Sequence, residues 1–537
     1  MLVEFLLLIA AALFAKFIID KGYKNENYFK ERGVKYLQPN FLVGNSGNLF
    51  TRKRSILKWT LDLYSAFPQD KFVHRISGIF DFRSPVLLVK DPELIKHLAI
   101  KEFDHFVNRR NIFADESDPA IYKSLFLLKE DDWRDMRATL SPAFTGSKMR
   151  LMFELISECS NQMVAFVNKE TKGKGIQTYE MKDFCSRMSN DIIATCAFGI
   201  QVNSLKEQKN EFYLNGKDLT NLAKMSRLVK LLVMLIFPVI CKALKVKLFS
   251  RQLISFFRRA ILDAMQYREK NNIIRPDMIH LLMEAKKGRL THQTSDKEID
   301  SAGFATVEES QIGKQEGKKD LSDDDILAQC LIFFIGGFDT VSTSLSFLCY
   351  EMASNPDVQE RLYEEILNTN KQFDGKVINY DTLQKMKYLD MVVSENLRKW
   401  TPIPFFDRVC TKEYVLDCGD GLKYSFKKGD IFIVFTGALH YDPQYFPNPE
   451  KFDPERFSDE NKDQIVPGTY LPFGLGPRNC IGVRFALMEV KSLLYYLILN
   501  FKIEPNEKTQ IPLKLSKNSA MVSEKGIWVQ LTPRCKE

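Results

Sequence analysis

The chain has 537 residues, a length that as a prior suggests three or four domains, yet no Pro/Gly/Ser-rich linker divides its interior, so one large domain is expected. Its charge, 76 basic against 68 acidic residues for a net of +8, is mild and dispersed. That excludes a nucleic-acid binder, which would gather basic charge on one face, and leaves anionic lipid or an acidic redox partner as uses for the excess. The ten cysteines are scattered without a close pair, which speaks against a disulfide framework or a Cys-x-x-Cys zinc or redox site.

In chain order, Leu2 to Ile19 is apolar apart from Glu4 and Lys16, close to the roughly 20 residues a helix needs to cross a bilayer. Lys21, Lys24, Lys30, Arg32 and Lys35 follow, a flank that orients the remainder toward the cytosol. A cleaved signal peptide is the rival reading, but Ala10-Ala11-Ala12 lies inside the apolar run and no basic segment precedes it. Residues 1–20 are therefore expected to be a retained transmembrane anchor. Residues 21–47, polar with Pro39, Gly44 and Gly47, read as a linker, and residues 48–537 as the single domain.

Trp133 and Arg137 lie about one helical turn apart. Arg227 to Phe249 is strongly apolar but too short for a second span, so a core helix or an interfacial segment is expected. Lys286 to Asp320, rich in charge, Gly, Ser and Thr, reads as an exposed loop. Ser322-Asp323-Asp324-Asp325 then starts a helix, with a capping hydroxyl and carboxylates at the positive end of the dipole, and Pro356 stops it. At its middle stand Gly336-Gly337-Phe338-Asp339-Thr340. Two interior glycines cost a helix about 1 kcal/mol each. Thr340 follows Gly336 by four residues, so its hydroxyl can bond the carbonyl of the preceding turn and bend the helix. A glycine-packed helix crossing explains this pattern, and so does an opening for a small ligand beside a hydroxyl and a carboxylate.

Glu395 and Arg398 are neighbours on one helical face. Arg408 reads as a charge on a strand, and His440, with no second histidine at ligand spacing, as a structural turn residue. Near the C-terminus, Phe473-Gly474-Leu475-Gly476-Pro477-Arg478-Asn479-Cys480-Ile481-Gly482 opens a helix whose apolar residues recur at three- and four-residue spacing from Val483 to Leu494. A helix start and a neighbouring cation both favour the thiolate, the metal-binding form of cysteine. Gly476 and Gly482 allow close approach of a flat macrocycle, Phe473 can pack on its ligand side, and Arg478 can pair with a carboxylate on it. Cys480 thus looks like an axial ligand to haem iron, with a buried structural cysteine at a helix start as the other reading of these residues, and a covalent c-type haem is disfavoured because Cys-x-x-Cys-His is missing.

The pattern Phe-x-x-Gly-x-Arg-x-Cys-x-Gly resembles the haem-thiolate signature of the cytochrome P450 superfamily, and Gly336 to Thr340 resembles its oxygen-binding motif. Phe452-Asp453-Pro454-Glu455-Arg456-Phe457 is similar to its Pro-Glu-Arg-Phe element, which makes Glu395, Arg398 and Arg456 a structural triad. The resemblance, closest to insect microsomal detoxification-type members, runs from about Asn48 to Thr532 and implies a mainly α fold with smaller β-sheets (α+β) behind an N-terminal membrane-anchor helix. It implies heme b, iron protoporphyrin IX with an axial thiolate, held by Cys480, Trp133, Arg137, Arg408, Phe473, Arg478 and Gly482. Asp339 and Thr340 would be catalytic, relaying protons. The implied reaction inserts one oxygen atom of O2 into a hydrophobic small molecule, xenobiotic or hormone-like. Asn108 to Lys129, Phe333 to Phe338 and Pro402 to Phe406 would line the pocket. No dinucleotide-binding Gly-x-Gly-x-x-Gly follows a strand, and the resemblance implies a separate NADPH-cytochrome P450 reductase as electron source, with cytochrome b5 as a second donor, docking near Lys148, Arg150 and Lys491. The expected location is the endoplasmic reticulum membrane, facing the cytosol. A haem-thiolate isomerase or dehydratase needing no external electrons is a second reading, and a non-enzymatic haem protein a third; the intact Asp339-Thr340 pair speaks against both.

Overall fold

The computed structural model describes residues 25–534 except 68–74, 112–117, 290–302, 308–311, 313–320, 374–376, 420 and 518–520, with positions 16, 19, 20 and 23 ahead of them. The expected anchor over residues 1–20 thus lies almost wholly outside the described residues. Residues 21–47, expected as a linker, differ from that expectation from Tyr28 onward. Phe29 is fully buried with its ring edge-on to Phe80 at 5.4 Å, and Leu37 donates to the Gly78 carbonyl at 3.0 Å. The aromatic residues scattered through this polar stretch dock it on the first sheet.

Three small sheets frame a helical body. Helix α1 (Ile56–Ser65) starts on the Ser55 hydroxyl, and β1 (Ile76–Asp81) and β2 (Ser84–Val89) form an antiparallel hairpin. There follow α2 (Glu130–Leu140), α3 (Gly146–Lys174), β3 (Gln177–Glu180), α4 (Met181–Ile193), α5 (Glu211–Thr220), α6 (Met225–Ile236), α7 (Pro238–Ala243) and α8 (Arg251–Asn271). The central helix α9 (Asp323–Ser354) precedes α10 (Lys387–Lys399), β4 (Phe406–Val409), β5 (Tyr414–Asp417), β6 (Lys423–Phe426) and β7 (Ile431–Val434). The chain ends with α11 (Val483–Asn500), β8 (Phe501–Glu504) and β9 (Trp528–Pro533). The sheet orders are β1-β2-β7-β4, β3-β9-β8 and β5-β6, with β2 and β7 parallel.

Helix α9 forms where the sequence places it. Ser322 accepts the Asp325 amide at 3.2 Å while the Asp325 carboxylate accepts the Ser322 amide at 3.0 Å, a reciprocal box that satisfies two otherwise unbonded donors. Among the described residues it is the one helix long and apolar enough to cross a membrane, and 61% of its most apolar window is buried inside the protein. Its composition is that of a core helix, packed against α4, α5, α8 and α11. The apolar stretch from Arg227 to Phe249 resolves into α6 and α7, broken at Phe237 where Pro238 begins the second helix.

A buried ionic knot ties α10 to the segment leading toward Cys480. Arg398 donates to both Glu395 oxygens at 2.7 and 2.8 Å and to the carbonyls of His440 and Pro449. Arg456 lies 3.5 Å from Glu395, completing a triad in which Glu395 and Arg398 are fully buried. Such a triad is tolerable only because every charge has a partner. His440 takes the Leu471 amide on Nε2 at 2.8 Å while its Nδ1 faces the Arg398 carbonyl at 3.2 Å. Burial, then the neighbouring Arg398, pushes the ring's pKa down to about 3, so it is a neutral structural hydrogen-bonding group. Lys491, expected among the docking cations, is fully buried on α11 and paired with Asp390 at 3.0 Å, so it meets no partner protein.

Candidate active site

The turn before α11 is built around a close backbone approach. Gly476 has φ +73, and a Cβ there would collide with the Ala99 carbonyl, so no other residue fits. At Gly482 the φ is −91 and an added Cβ would meet only Phe144, at 3.8 Å, so no protein backbone approaches it as closely as Ala99 approaches Gly476. The Cys480 amide closes the loop onto the Phe473 carbonyl at 3.0 Å. Of the nine described cysteines, Cys480 alone is exposed. Even so, the surrounding protein pushes its thiol above the usual range, outweighing the Gly482 amide and the Arg137 and Arg109 guanidiniums that favour the thiolate. This reverses the expected direction. A metal cation bound there would favour the thiolate, because a coordinating thiol is deprotonated outright.

Four guanidiniums are gathered behind this turn. Arg137, on α2, donates to the Asn479 carbonyl at 3.0 Å and to its side-chain oxygen at 2.9 Å. Arg478 donates to the carbonyls of Val107, Leu125 and Leu128 and stacks on Trp133, 4.1 Å from the ring centroid. Arg408, on β4, is buried and donates to the Leu475 carbonyl at 3.0 Å. Arg109, which no sequence motif marks, donates to the Arg478 carbonyl at 2.5 Å. Burial lowers the pKa of Arg408 to about 9 and that of Arg478 well below its ordinary value, and repulsion from Arg109 adds to both. The Nε atoms of Arg109 and Arg408 are buried without a hydrogen-bond partner. Buried guanidinium donors left without an acceptor are costly, and a further anion would satisfy the two Nε atoms of Arg109 and Arg408. The carboxylates of a haem fit that deficit. Among the described residues no group of three or more His, Cys, Asp or Glu could hold a bare ion. A lone cysteine suits a metal that arrives already ligated by a macrocycle.

Across from the turn lies the middle of α9. Phe144 connects the two, lying near Gly482 and meeting the Phe333 ring edge-on at 5.4 Å. The Thr340 hydroxyl donates to the Gly336 carbonyl at 2.5 Å, the bond the four-residue spacing predicts. Gly336 is exposed in the middle of this helix, and a Cβ on it would meet nothing within 4 Å. The glycine therefore borders open space. Asp339 is half-exposed and held by Lys182 of α4 at 2.9 Å, whose ammonium also donates to Ser342 at 2.8 Å and Thr343 at 2.7 Å. Lys182 carries no motif, and only its spatial pairing reveals it. Of the expected pocket wall, 112–117 lie outside the described residues, Phe333 to Phe338 belong to α9, and Pro402 to Phe406 lead into β4.

A family model described as Cytochrome P450 matches residues 69–531. The chain is 43% identical to "Probable cytochrome P450 9f2" of Drosophila melanogaster over 99% of its own length and 100% of the relative's. It is 43% identical to "Cytochrome P450 9e2" of Blattella germanica, covering 96% and 95% of the two chains, and 37% identical to "Cytochrome P450 6k1" of the same insect, covering 92% and 91%.

Proposed function

The chain belongs to the cytochrome P450 family, haem-thiolate monooxygenases of mainly helical fold with smaller sheets, and we propose that it oxygenates a hydrophobic small molecule at the Cys480 site. Haem, when bound, supplies oxygen activation, which an axial thiolate promotes by donating electron density. Cys480 is in this reading the thiolate. Arg137, Arg408, Arg478 and the newly found Arg109, with Trp133, take the haem carboxylates, while Phe473 and Gly482 border the ligand side.

The oxygen-side residues act by holding protons and space. Gly336 leaves room, and the Thr340 hydroxyl, anchored on the Gly336 carbonyl, presents a fixed oxygen to that room. Asp339 carries protons inward from the polar group that it forms with Lys182, Ser342 and Thr343. Electrons come from a separate redox partner. We assign NADPH-cytochrome P450 reductase, with cytochrome b5 as a second donor, docking near Lys148 and Arg150, the latter already paired with Asp381 at 3.0 Å. Residues 1–20 anchor the protein in the endoplasmic reticulum membrane, and one cytosol-facing catalytic domain takes in the docked stretch from Tyr28 as well as 48–537.

The observation that carries this reading is the gathering of buried guanidiniums, two of them with an unbonded Nε, beside Cys480, the one exposed cysteine among the described residues. Cys480→Ser is expected to abolish the thiolate-type absorption of the reduced carbon monoxide complex and all NADPH- and reductase-dependent oxidation of a lipophilic panel. An unchanged spectrum would mean that another residue binds the iron; full turnover without NADPH would select the isomerase reading.

A further inference from the structure

The described residues 303–305 form one element that the oxygenase reading does not use. Gly303 has φ +122, and a Cβ on it would collide with the Asp390 carboxylate, so the chain passes closer to that group than any side chain allows. The next amide, of Phe304, donates to Asp390 Oδ2 at 2.8 Å, and Ala305 is buried. The Phe304 ring meets Phe457 edge-on at 5.0 Å and Tyr470 at 5.5 Å, and those two rings lie 5.0 Å from each other. Three mutually touching rings and a charge-assisted amide bond make a specific seat, with partners 86 to 166 positions further along the chain.

That seat has two arms toward Cys480. Along the first, Tyr470 meets the His440 ring at 5.5 Å, and His440 takes the amide of the next residue, Leu471. The Leu471 carbonyl accepts the Gly474 amide at 3.2 Å, and the carbonyl of the intervening Phe473 accepts the Cys480 amide at 3.0 Å. Along the second, Asp390 pairs with Lys491 of α11, the helix that Cys480 introduces. A cysteine turn that ends on short backbone bonds has its sulfur direction set by whatever fixes those bonds.

We propose that Gly303 and Phe304 form a clip that positions the Cys480 turn for metal ligation. These are positioning residues, acting through Tyr470 and through the Asp390–Lys491 pair. The inference rests on Cys480 being the haem ligand.

The test compares the full chain with Phe304→Ala, Phe304→Leu, Phe304→Tyr, Gly303→Ala and Cys480→Ser, all loaded with haem. It reads the ratio of thiolate-type to thiol-type absorption of the reduced carbon monoxide complex, the rate of haem transfer to a scavenging apoglobin, and thermal unfolding. Phe304→Ala and Gly303→Ala are expected to raise the thiol-type share and to speed haem loss about fivefold, the factor that one lost aromatic contact of about 1 kcal/mol gives. Phe304→Tyr, which keeps the ring, is expected to restore both. Phe304→Leu carries the same expectation as the alanine variant where that variant does not fold. Unchanged spectra and unchanged haem loss in the alanine variants overturn the clip, including when the unfolding temperature falls. A thiolate-type spectrum surviving in Cys480→Ser instead removes the ligand assignment and the clip with it, while a normal Phe304→Ala beside a spectrally dead Cys480→Ser removes the clip alone.

Discussion

Glu489 shows how much a single side chain depends on its surroundings. It lies on α11 facing Ser189 of α4, fully buried, with neither carboxylate oxygen at full hydrogen-bonding distance from a donor, and Ser189 offers only weak help. Burial pushes its pKa from an ordinary 4.5 up to about 8. Between those values the folded state keeps a proton that the unfolded chain has released. The stabilising contribution is thus complete below pH about 4.5 and is lost as pH rises through about 8. Glu489→Gln keeps the shape without the titration. It is expected to match the parent near pH 4.5 and to exceed it by about 3–5 kcal/mol at pH 8.5, read from denaturant midpoints at both pH values. An advantage that does not grow with pH would mean that the carboxyl has found a partner.

At the scale of elements, α9 separates two adjacent glycines by what lies beside them. Gly336 borders open space, whereas a Cβ on Gly337 would come within 2.9 Å of the Ile193 Cδ1 on α4. Alanine normally gains about 1 kcal/mol over glycine inside a helix. Gly336→Ala is accordingly expected to stabilise by up to about 1 kcal/mol. Gly337→Ala must displace a packed side chain and is expected to destabilise by roughly 1 kcal/mol. Equal shifts in urea midpoint for the two variants would contradict this division. The helix also shows what a sequence discloses. The Ser322 box, the Thr340 bond and the Pro356 stop span no more than a few residues each, so local spacing reveals them. Lys182 meets Asp339 across 157 positions, Arg109 meets Arg478 across 369, and Phe304 meets Asp390 across 86. No periodicity relates such pairs, and Lys491, read as a surface cation, is buried for the same reason: its partner Asp390 belongs to another helix.

Over the whole molecule, the first sheet is assembled from distant parts of the chain, since β2 pairs with β7 and the residues from Tyr28 dock on β1. The surface this leaves is uneven. Val239 and Leu244 are 80% and 71% exposed, and Val229, Val233 and Ile240 are exposed near them on α6 and α7, with Lys242 and Lys245 alongside. Exposed apolar side chains on two successive helices, with lysines close by in sequence, suit a lipid interface, where apolar side chains enter the acyl boundary and lysines meet anionic headgroups. Each such side chain left in water forgoes roughly 1.5–3 kcal/mol of burial. A protein starting at residue 25, without the expected anchor, is therefore expected to bind vesicles containing anionic lipid. Ile240→Glu combined with Leu244→Glu is expected to lower that partitioning more than about tenfold in flotation assays, because two burial contributions of that size are replaced by charges that stay hydrated. The same pair placed at exposed Val377 and Val415, outside these helices, is expected to change nothing. If both doubly substituted proteins partition like the parent, α6 and α7 do not enter the membrane and their apolar surface has another occupant.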